Sequence, residues 1–312
     1  MRGLIPIKNL NMKLFKNLFL LAVSAAVSVC ANAQQSGIDS TGLPGDNFSL
    51  QGALEMFQKA ASPEDFEKLI NEENNNVNNL DLNGDGDVDY VKVIDKVDKE
   101  VHALVLQVSV SETENQDIAV IEIEKTGDEN AILQIIGDED IYGEQVIVEP
   151  ASEDGGAFNF YGGSTHSGPS ADAVQQRNGI VANVWLWPSV RFIYAPAYRP
   201  WISPWRWHLY PVWWKPWKPY AWHVWHPRVV VFQRPFVVVR THRVVRAHAI
   251  YKPLRVTSVT VHTRHAASVN HYRVTRTKTT HTGPGGTTIR TTTTVKKNGH
   301  LKGKKTTVRR RR

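Results

Sequence analysis

The spacing of apolar residues changes once in the first half of this 312-residue chain, and the change limits how that half can fold. Two stretches carry apolar residues at the three- and four-residue intervals of an amphipathic helix. The first stripe consists of Leu50, Ala53, Leu54 and Phe57, and the second of Phe66, Leu69 and Ile70. Ser62 and Pro63 precede the second stripe as an N-cap and a first-turn proline, so two short helices are predicted.

Beyond residue 80 the pattern becomes that of β-strands. Five segments rich in valine and isoleucine are separated by short polar turns. They are Tyr90–Asp95, Val101–Val110, Ile118–Glu124, Ala131–Ile136 and Gln145–Glu149. Two helices followed by consecutive strands predict an α+β domain over residues 49–150, with the N-terminal helices packed on an antiparallel sheet. Residues 34–48 are predicted to be a flexible lead-in, and the Gly/Ser-rich residues 151–180 a linker.

Residues 181–270 have a different composition. All ten tryptophans lie between Trp185 and Trp225, interleaved with seven prolines. This proline density argues against long helices and central strands, so an irregular or β segment is predicted. Val229–Phe232 and Phe236–Val239 are its candidate strands.

The tail, residues 271–312, consists largely of Thr, Lys and Arg. Glycine-containing turns at 283–286 and 298–299 lie between Thr-rich runs, which favours a β-ribbon. Few large apolar residues are present, so a disordered tail is the open alternative.

Charge divides the chain into an acidic and a basic part. Residues 34–172 contain 30 carboxylates and six lysines, a net charge of −24, whereas residues 173–312 contain 27 Lys and Arg and no acid. Such asymmetry bears on partners rather than on fold. The basic part is expected either to bind an anionic surface or to dock on the chain's own acidic domain.

Residues 1–33 have the features of a cleaved signal peptide. Lys13 and Lys16 precede an apolar run, and residues 31–33 (Ala-Asn-Ala) form a cleavage signal, with Met12 as the expected true start. Export to the periplasm, the outer membrane or the cell exterior is therefore predicted. The mature chain would begin at Gln34, lose Cys30 and contain no transmembrane helix.

The strongest local motif lies at residues 81–89 (DLNGDGDVD). Oxygen-bearing side chains at positions 1, 3 and 5 and glycine at position 6 suit the hard oxygen ligands of calcium. Lys92 stands where a helical EF-hand needs a bidentate acid, and a strand follows instead. The sequence predicts one calcium site, with a solvated turn as the alternative.

The motif resembles the single Asp-x-Asn-x-Asp-Gly-x-x-Asp loop of integrin-type FG-GAP repeats. That resemblance implies side-chain ligands from Asp81, Asn83, Asp85 and Asp89 and a backbone carbonyl from Asp87. With its Trp/Pro/Arg-rich C-terminus, the chain as a whole resembles uncharacterised exported proteins of Gram-negative bacteria. This second resemblance implies no activity.

Histidines offer a weaker metal signal. The pairs His223/His226 and His262/His265 share a three-residue spacing that would place two imidazoles on one face of a helix, although proline argues against a helix at the first pair. A His-rich transition-metal binder is therefore one alternative function. Gly137–Asp140 lacks ligand spacing and is predicted to be an ordinary acidic turn.

No catalytic motif is found in the sequence, and an enzyme is not expected. The interpretation is a non-enzymatic cell-envelope protein with a calcium-binding acidic domain and a cationic, aromatic segment that adheres to anionic envelope polymers or lipid headgroups. No specific nucleic acid is expected as a partner. The alternative is a self-complementary protein whose basic part docks on its own acidic domain without an external anionic partner.

Overall fold

The computed structural model describes residues 39–151, 166–167, 182–275, 278–283, 286–297 and 300–311. The predicted signal peptide and almost all of the predicted linker lie outside the described residues. Near the start, β1 (Asp39–Ser40) pairs in parallel with β7 (His166–Ser167) over two residues.

The two predicted helices are present. Helix α1 spans Leu50–Lys59 and α2 spans Pro63–Ile70. The hydroxyl of Ser49 accepts a hydrogen bond from the Gly52 amide at 2.9 Å, and that of Ser62 accepts one from the Asp65 amide at 3.1 Å. Each serine therefore satisfies an amide that the first turn of a helix leaves without a partner.

A six-stranded antiparallel sheet forms the centre of the fold, which confirms the α+β class. Its order is β2-β3-β4-β5-β6-β8. The strands are β2 Val91–Asp98, β3 Val101–Ser109, β4 Asn115–Gly127, β5 Asn130–Gly137, β6 Val146–Pro150 and β8 Phe236–Val239. The last of these comes from the basic part and pairs with β6, so a strand more than 80 residues further along the chain completes the acidic sheet.

The main core combines apolar side chains of α1, α2 and the sheet with those of α4 (Pro188–Ile193) from the basic part. Helix α6 (Val245–Tyr251) contacts β2, β3 and β4, and Tyr251 joins a smaller apolar cluster. The described residues from Asp39 onward form one compact unit.

Part of the predicted lead-in is ordered. Residues 44–47 form a 3₁₀ turn, and Asp46 is buried. Its carboxylate accepts hydrogen bonds from the hydroxyls of Ser40 and Thr41 at 2.6 and 2.7 Å. The flexible lead-in was a wrong prediction for residues 39–48, because polar residues that are typical of a loop here satisfy one buried carboxylate.

The first candidate strand of the basic part was also predicted wrongly. Helix α5 spans Trp222–Val229 and contains Pro227, and a 3₁₀ turn follows over Val230–Gln233. A proline inside a helix removes one backbone hydrogen bond. The buried indole of Trp225, whose Nε1 donates to the Asp46 carbonyl at 3.0 Å, stabilises this short helix against that loss. A 17-residue helix, α7 (Val259–Thr275), follows where no long helix was predicted.

The described residues of the tail form three strands. They are β9 Lys278–Gly283, β10 Gly286–Lys297 and β11 His300–Arg311. They pair antiparallel in the order β11-β10-β9. A short helix, α3 (Glu139–Tyr142), lies between β5 and β6 in the chain.

Candidate functional site

The loop at residues 81–89 leads from the helices into β2 and is anchored at both ends. Leu80, Leu82 and Val88 are buried, and the Asp89 amide donates to the Leu80 carbonyl at 2.7 Å. The apolar anchors hold the ends of the loop while its central residues face solvent.

The oxygens of the loop bind its own backbone amides. The Asp81 carboxylate accepts from the Gly84 amide at 2.6 Å and from the Gly86 amide at 2.9 Å. The Asn83 side-chain oxygen accepts from the Asp85 amide, and the Asp85 carboxylate from the Asp87 amide, both at 2.8 Å. Gly84 and Gly86 have φ values of 74° and 82°, a left-handed conformation that favours glycine.

Asp89 is the buried acid of the loop. Its carboxylate accepts from the Leu82 amide at 2.6 Å. Burial, with a smaller contribution from the nearby charges of Asp81 and Asp85, raises the pKa of Asp89 to about 7. A cation bound beside these carboxylates would stabilise the charged form of Asp89, which burial disfavours.

The basic part contacts this loop in ways that the sequence did not indicate, and one contact is a backbone hydrogen bond from the Val88 amide to the Trp217 carbonyl at 2.8 Å. Lys218 Nζ lies 2.9 Å from Asp87 Oδ1, and both side chains are largely exposed. Arg264 donates to the Leu82 carbonyl at 2.5 Å. The lysine pairs with the Asp87 side chain, whereas the resemblance assigns the Asp87 carbonyl to calcium.

The five predicted ligands do not form a closed cage. Within the described ranges, no three carboxylates of this loop place their oxygens within 4.8 Å of one another. Calcium ligands lie about 2.3–2.6 Å from the ion, so the loop would have to contract around it. The calcium site therefore stays a prediction.

Three buried glutamates on the α6-side face of the sheet form an acidic row. They are Glu122 and Glu124 on β4 and Glu149 on β6. Arg246 Nε lies 2.8 Å from Glu124, and Arg243 Nε lies 3.1 Å from Glu149. The ion-pair partners of the three glutamates come from residues 242–248 of the basic part, while Gln134 of β5 also donates to Glu149 at 2.7 Å.

Helix α6 begins at this acidic row. The backbone amides of Arg246 and Ala247 donate to Glu124 Oε1 at 2.7 and 3.2 Å. A carboxylate at a helix N-terminus satisfies unpaired amides and interacts favourably with the helix dipole. The acidic sheet thus provides the cap that α6 lacks in its own sequence.

A second contact between the acidic and basic parts involves the predicted acidic turn at Gly137–Asp140. This turn leads directly into helix α3. Asp138 caps that helix and is buried, and Arg255 binds both Asp138 and Asp140. Burial raises the pKa of Asp138 to about 6, against the lowering effect of Arg255. Sequence spacing gave no sign of this role, because the arginine lies more than 100 residues away.

Several of the tryptophans pack inside the protein. Trp225 is fully buried, and Trp201 Nε1 donates to the buried carboxylate of Glu67 at 3.0 Å. Trp213 instead exposes 46% of its surface. Trp225 and Trp201 thus contribute to interior packing, while Trp213 faces solvent.

Among the described residues, neither predicted histidine pair belongs to a cluster of three ligand-bearing side chains. His223 and His226 lie on α5, and His262 and His265 on α7. Burial lowers the pKa of His226 and of His265. A different set of side chains does converge among the described residues. One potential metal-ligand atom from each of Glu122, His242 and His248 lies within 4.8 Å of the others.

Comparisons with protein-family models, with curated proteins and with solved structures find no match to this chain. None of the helices in the described ranges is long and apolar enough to cross a membrane.

Proposed function

We propose that this chain is a non-enzymatic cell-envelope protein in which residues 182–275 dock on the chain's own acidic domain and the loop at 81–89 binds one calcium ion. The observation that supports docking is the acidic row, whose buried glutamates have cationic or imidazole partners from residues 241–248. Buried carboxylates without such partners would strongly destabilise the sheet. In this proposal docking is part of the fold.

Apolar contacts support the same conclusion. The main core contains Val184, Val190, Phe232, Phe236 and Val261 from the basic part alongside the residues of the first two helices. As the finer architecture behind the α+β class, we propose that α1 and α2 cover one sheet face and α6 the other.

Two charged features remain available to bind external ligands when residues 182–275 are docked on the acidic domain. Asp81 and Asp85 have no cationic partner among the ion pairs of the described residues. The chain after residue 275 carries 12 Lys and Arg and no acid. In this proposal the loop binds calcium, and the tail adheres to anionic envelope polymers or lipid headgroups after export.

Docking is tested by hydrogen exchange on the mature protein. We expect slow exchange at the amides of residues 236–239, because this strand pairs with β6. We expect the same for residues 245–251, because Glu124 caps the start of this helix. Glu124→Gln should speed exchange in α6, since a neutral amide accepts more weakly than a carboxylate. The matched control, Asp128→Asn at an exposed turn, should leave α6 unchanged. Rapid exchange of both segments in the parent protein would contradict docking.

Calcium binding is tested by calorimetry on the mature protein. We expect one site with a Kd of roughly 10⁻⁴–10⁻³ M, as in extracellular modules, and stabilisation of about 2.7 kcal/mol at a hundredfold excess over Kd. Asp81→Asn and Asp85→Asn should each weaken binding, whereas Asp128→Asn should not. Equal calcium binding by all variants would exclude this loop as the site.

Adhesion by the tail is tested through its dependence on salt. With a polyanion of DNA-like charge density, each neutralised contact contributes about 0.9 to the slope of log affinity against log salt. Replacement of Arg309–Arg312 by glutamine should therefore reduce the slope by up to about 3.6. An unchanged slope would show that these arginines make no anionic contact.

A further inference from the structure

Glu122 occupies an unusual position for a charged residue. It lies in the middle of β4, an interior strand of the sheet, and its side chain is fully buried. A buried carboxylate requires charged or hydrogen-bonding partners that replace water. Its partners therefore show what this position is built to hold.

Both partners are imidazoles from the basic part. His242 Nε2 lies 2.6 Å from Glu122 Oε2, and His248 Nδ1 lies 2.9 Å from Glu122 Oε1. The two rings lie 4.3 Å apart between centroids at an angle of 75°. Each histidine thus directs one ring nitrogen at the same carboxylate.

The neighbouring arginines are engaged elsewhere. Arg246 pairs with Glu124 and Arg243 with Glu149. In the described part of the chain, the ion pairs of Glu122 are those with His242 and His248. The position therefore combines one buried carboxylate with two imidazoles and no permanent cation.

We propose that Glu122, His242 and His248 form a binding site for a divalent transition-metal ion of the zinc class. Two imidazoles and one carboxylate are a ligand set that suits zinc and leaves a fourth tetrahedral position open. One ligand atom from each residue lies within 4.8 Å of the others. Ligand atoms about 2.0–2.2 Å from a tetrahedral ion lie roughly 3.4 Å from one another, so the present nitrogen–oxygen distances need to open by less than about 1 Å.

The surroundings suit entry and retention of an ion. The two histidine side chains are 21% and 20% exposed, whereas Glu122 is inaccessible. An ion can therefore approach from the histidine side, and a water molecule can take the fourth position. Bound there, the ion joins the acidic sheet to α6, so it holds the basic part in place.

This site is separate from the proposed calcium loop. The loop offers only oxygen ligands, which suit calcium, whereas imidazole nitrogen favours zinc and its neighbours in the transition series. Neither histidine belongs to the two pairs whose sequence spacing suggested metal binding. Failure of one site would leave the other unaffected.

The test uses the metal-stripped mature protein with Zn²⁺ as the probe, in excess calcium so that the loop is occupied. We expect one Zn²⁺ per chain by calorimetry, and Co²⁺ in its place should give the visible absorption bands of a tetrahedral site. His242→Ala and His248→Ala should each weaken Zn²⁺ binding by at least the 10- to 100-fold that loss of an outer-shell partner costs. His223→Ala, which changes an exposed histidine, is the matched control.

Each outcome decides the proposal. Loss of binding and of the cobalt bands in both histidine variants, with the control unchanged, supports it. Absent Zn²⁺ binding in the parent protein, or unchanged binding in either variant, overturns it and leaves the cluster as two hydrogen-bonded ion pairs. A third variant, Glu122→Gln, would place a neutral amide in the core, so circular dichroism must first show that it folds. The test therefore rests on the His242→Ala and His248→Ala variants, whose histidines are partly exposed.

Discussion

Removal of the arginine that neutralises the buried acid at the start of α3 should produce a pH-dependent loss of stability. Arg255 binds Asp138, whose side chain is 2% exposed, and also lies 2.8 Å from Asp140. Arg255→Met keeps most of the side-chain volume and removes the charge. Loss of one partner of a buried pair costs about 3–5 kcal/mol, and the 27% exposure of Arg255 reduces the expected cost to about 2–4 kcal/mol at pH 8.

The loss should shrink in acid. Because burial raises the pKa of Asp138 from 3.8 to about 6, the folded protein retains a proton that the unfolded chain releases between those values. The free energy of unfolding therefore falls as the pH rises through that window, by up to about 3 kcal/mol from this group. Without Arg255 the folded pKa rises further, and the window extends upward. At pH 5 Asp138 is mostly protonated with or without the arginine, so the variant should lose only about 1 kcal/mol.

The assay is urea unfolding followed by tryptophan fluorescence at pH 5 and pH 8. Arg199→Met, which alters an exposed arginine, is the control and should be neutral at both pH values. Addition of Asp138→Asn to the Arg255→Met protein should recover most of the stability at pH 8, since no buried charge remains. An equal loss at the two pH values would refute the coupling between Arg255 and Asp138.

Two further predictions concern packing and the loop. Trp225→Ala should destabilise the protein by about 3–5 kcal/mol, because it removes a fully buried indole and leaves the Asp46 carbonyl unpaired. Trp213→Ala, at an exposed indole, should cost far less in thermal unfolding. Equal losses of stability in the two variants would contradict the difference in burial. Gly86→Ala should lower the stability of the calcium-free protein by about 1–2 kcal/mol. The cost comes from the backbone, because φ is 82° and no atom lies closer than 3.9 Å to the added carbon. An unchanged melting temperature would show that the loop tolerates alanine at this position.

Local pattern was sufficient wherever structure depends on near neighbours. The stripe from Leu50 to Phe57 and the Ser62 cap both lie where the two predicted helices form. The strands of the acidic part follow their runs of Val and Ile, and Phe236–Val239 is a strand as predicted. Spacing and residue type encode these elements because their hydrogen bonds close within a few residues or with the next strand.

Local pattern failed where packing overrode propensity. Pro227 argues against a helix, yet α5 forms because Trp225 fits the core. Glu122 and Glu124 alternate with isoleucines, a pattern that predicts a solvent-facing side of β4, yet both are buried. That face is covered by residues from 120 positions further on.

By itself, the sequence determined the α+β class, the position of the first two helices and of the strands of the central sheet, the oxygen-rich loop at residues 81–89 and the separation of charge. Only the tertiary structure decided that the acidic row meets Arg243, Arg246 and two histidines, and that β8 completes the sheet. The physical reason is that opposite charges attract without specifying partners. Which carboxylate meets which cation is selected by the apolar packing that brings distant segments together.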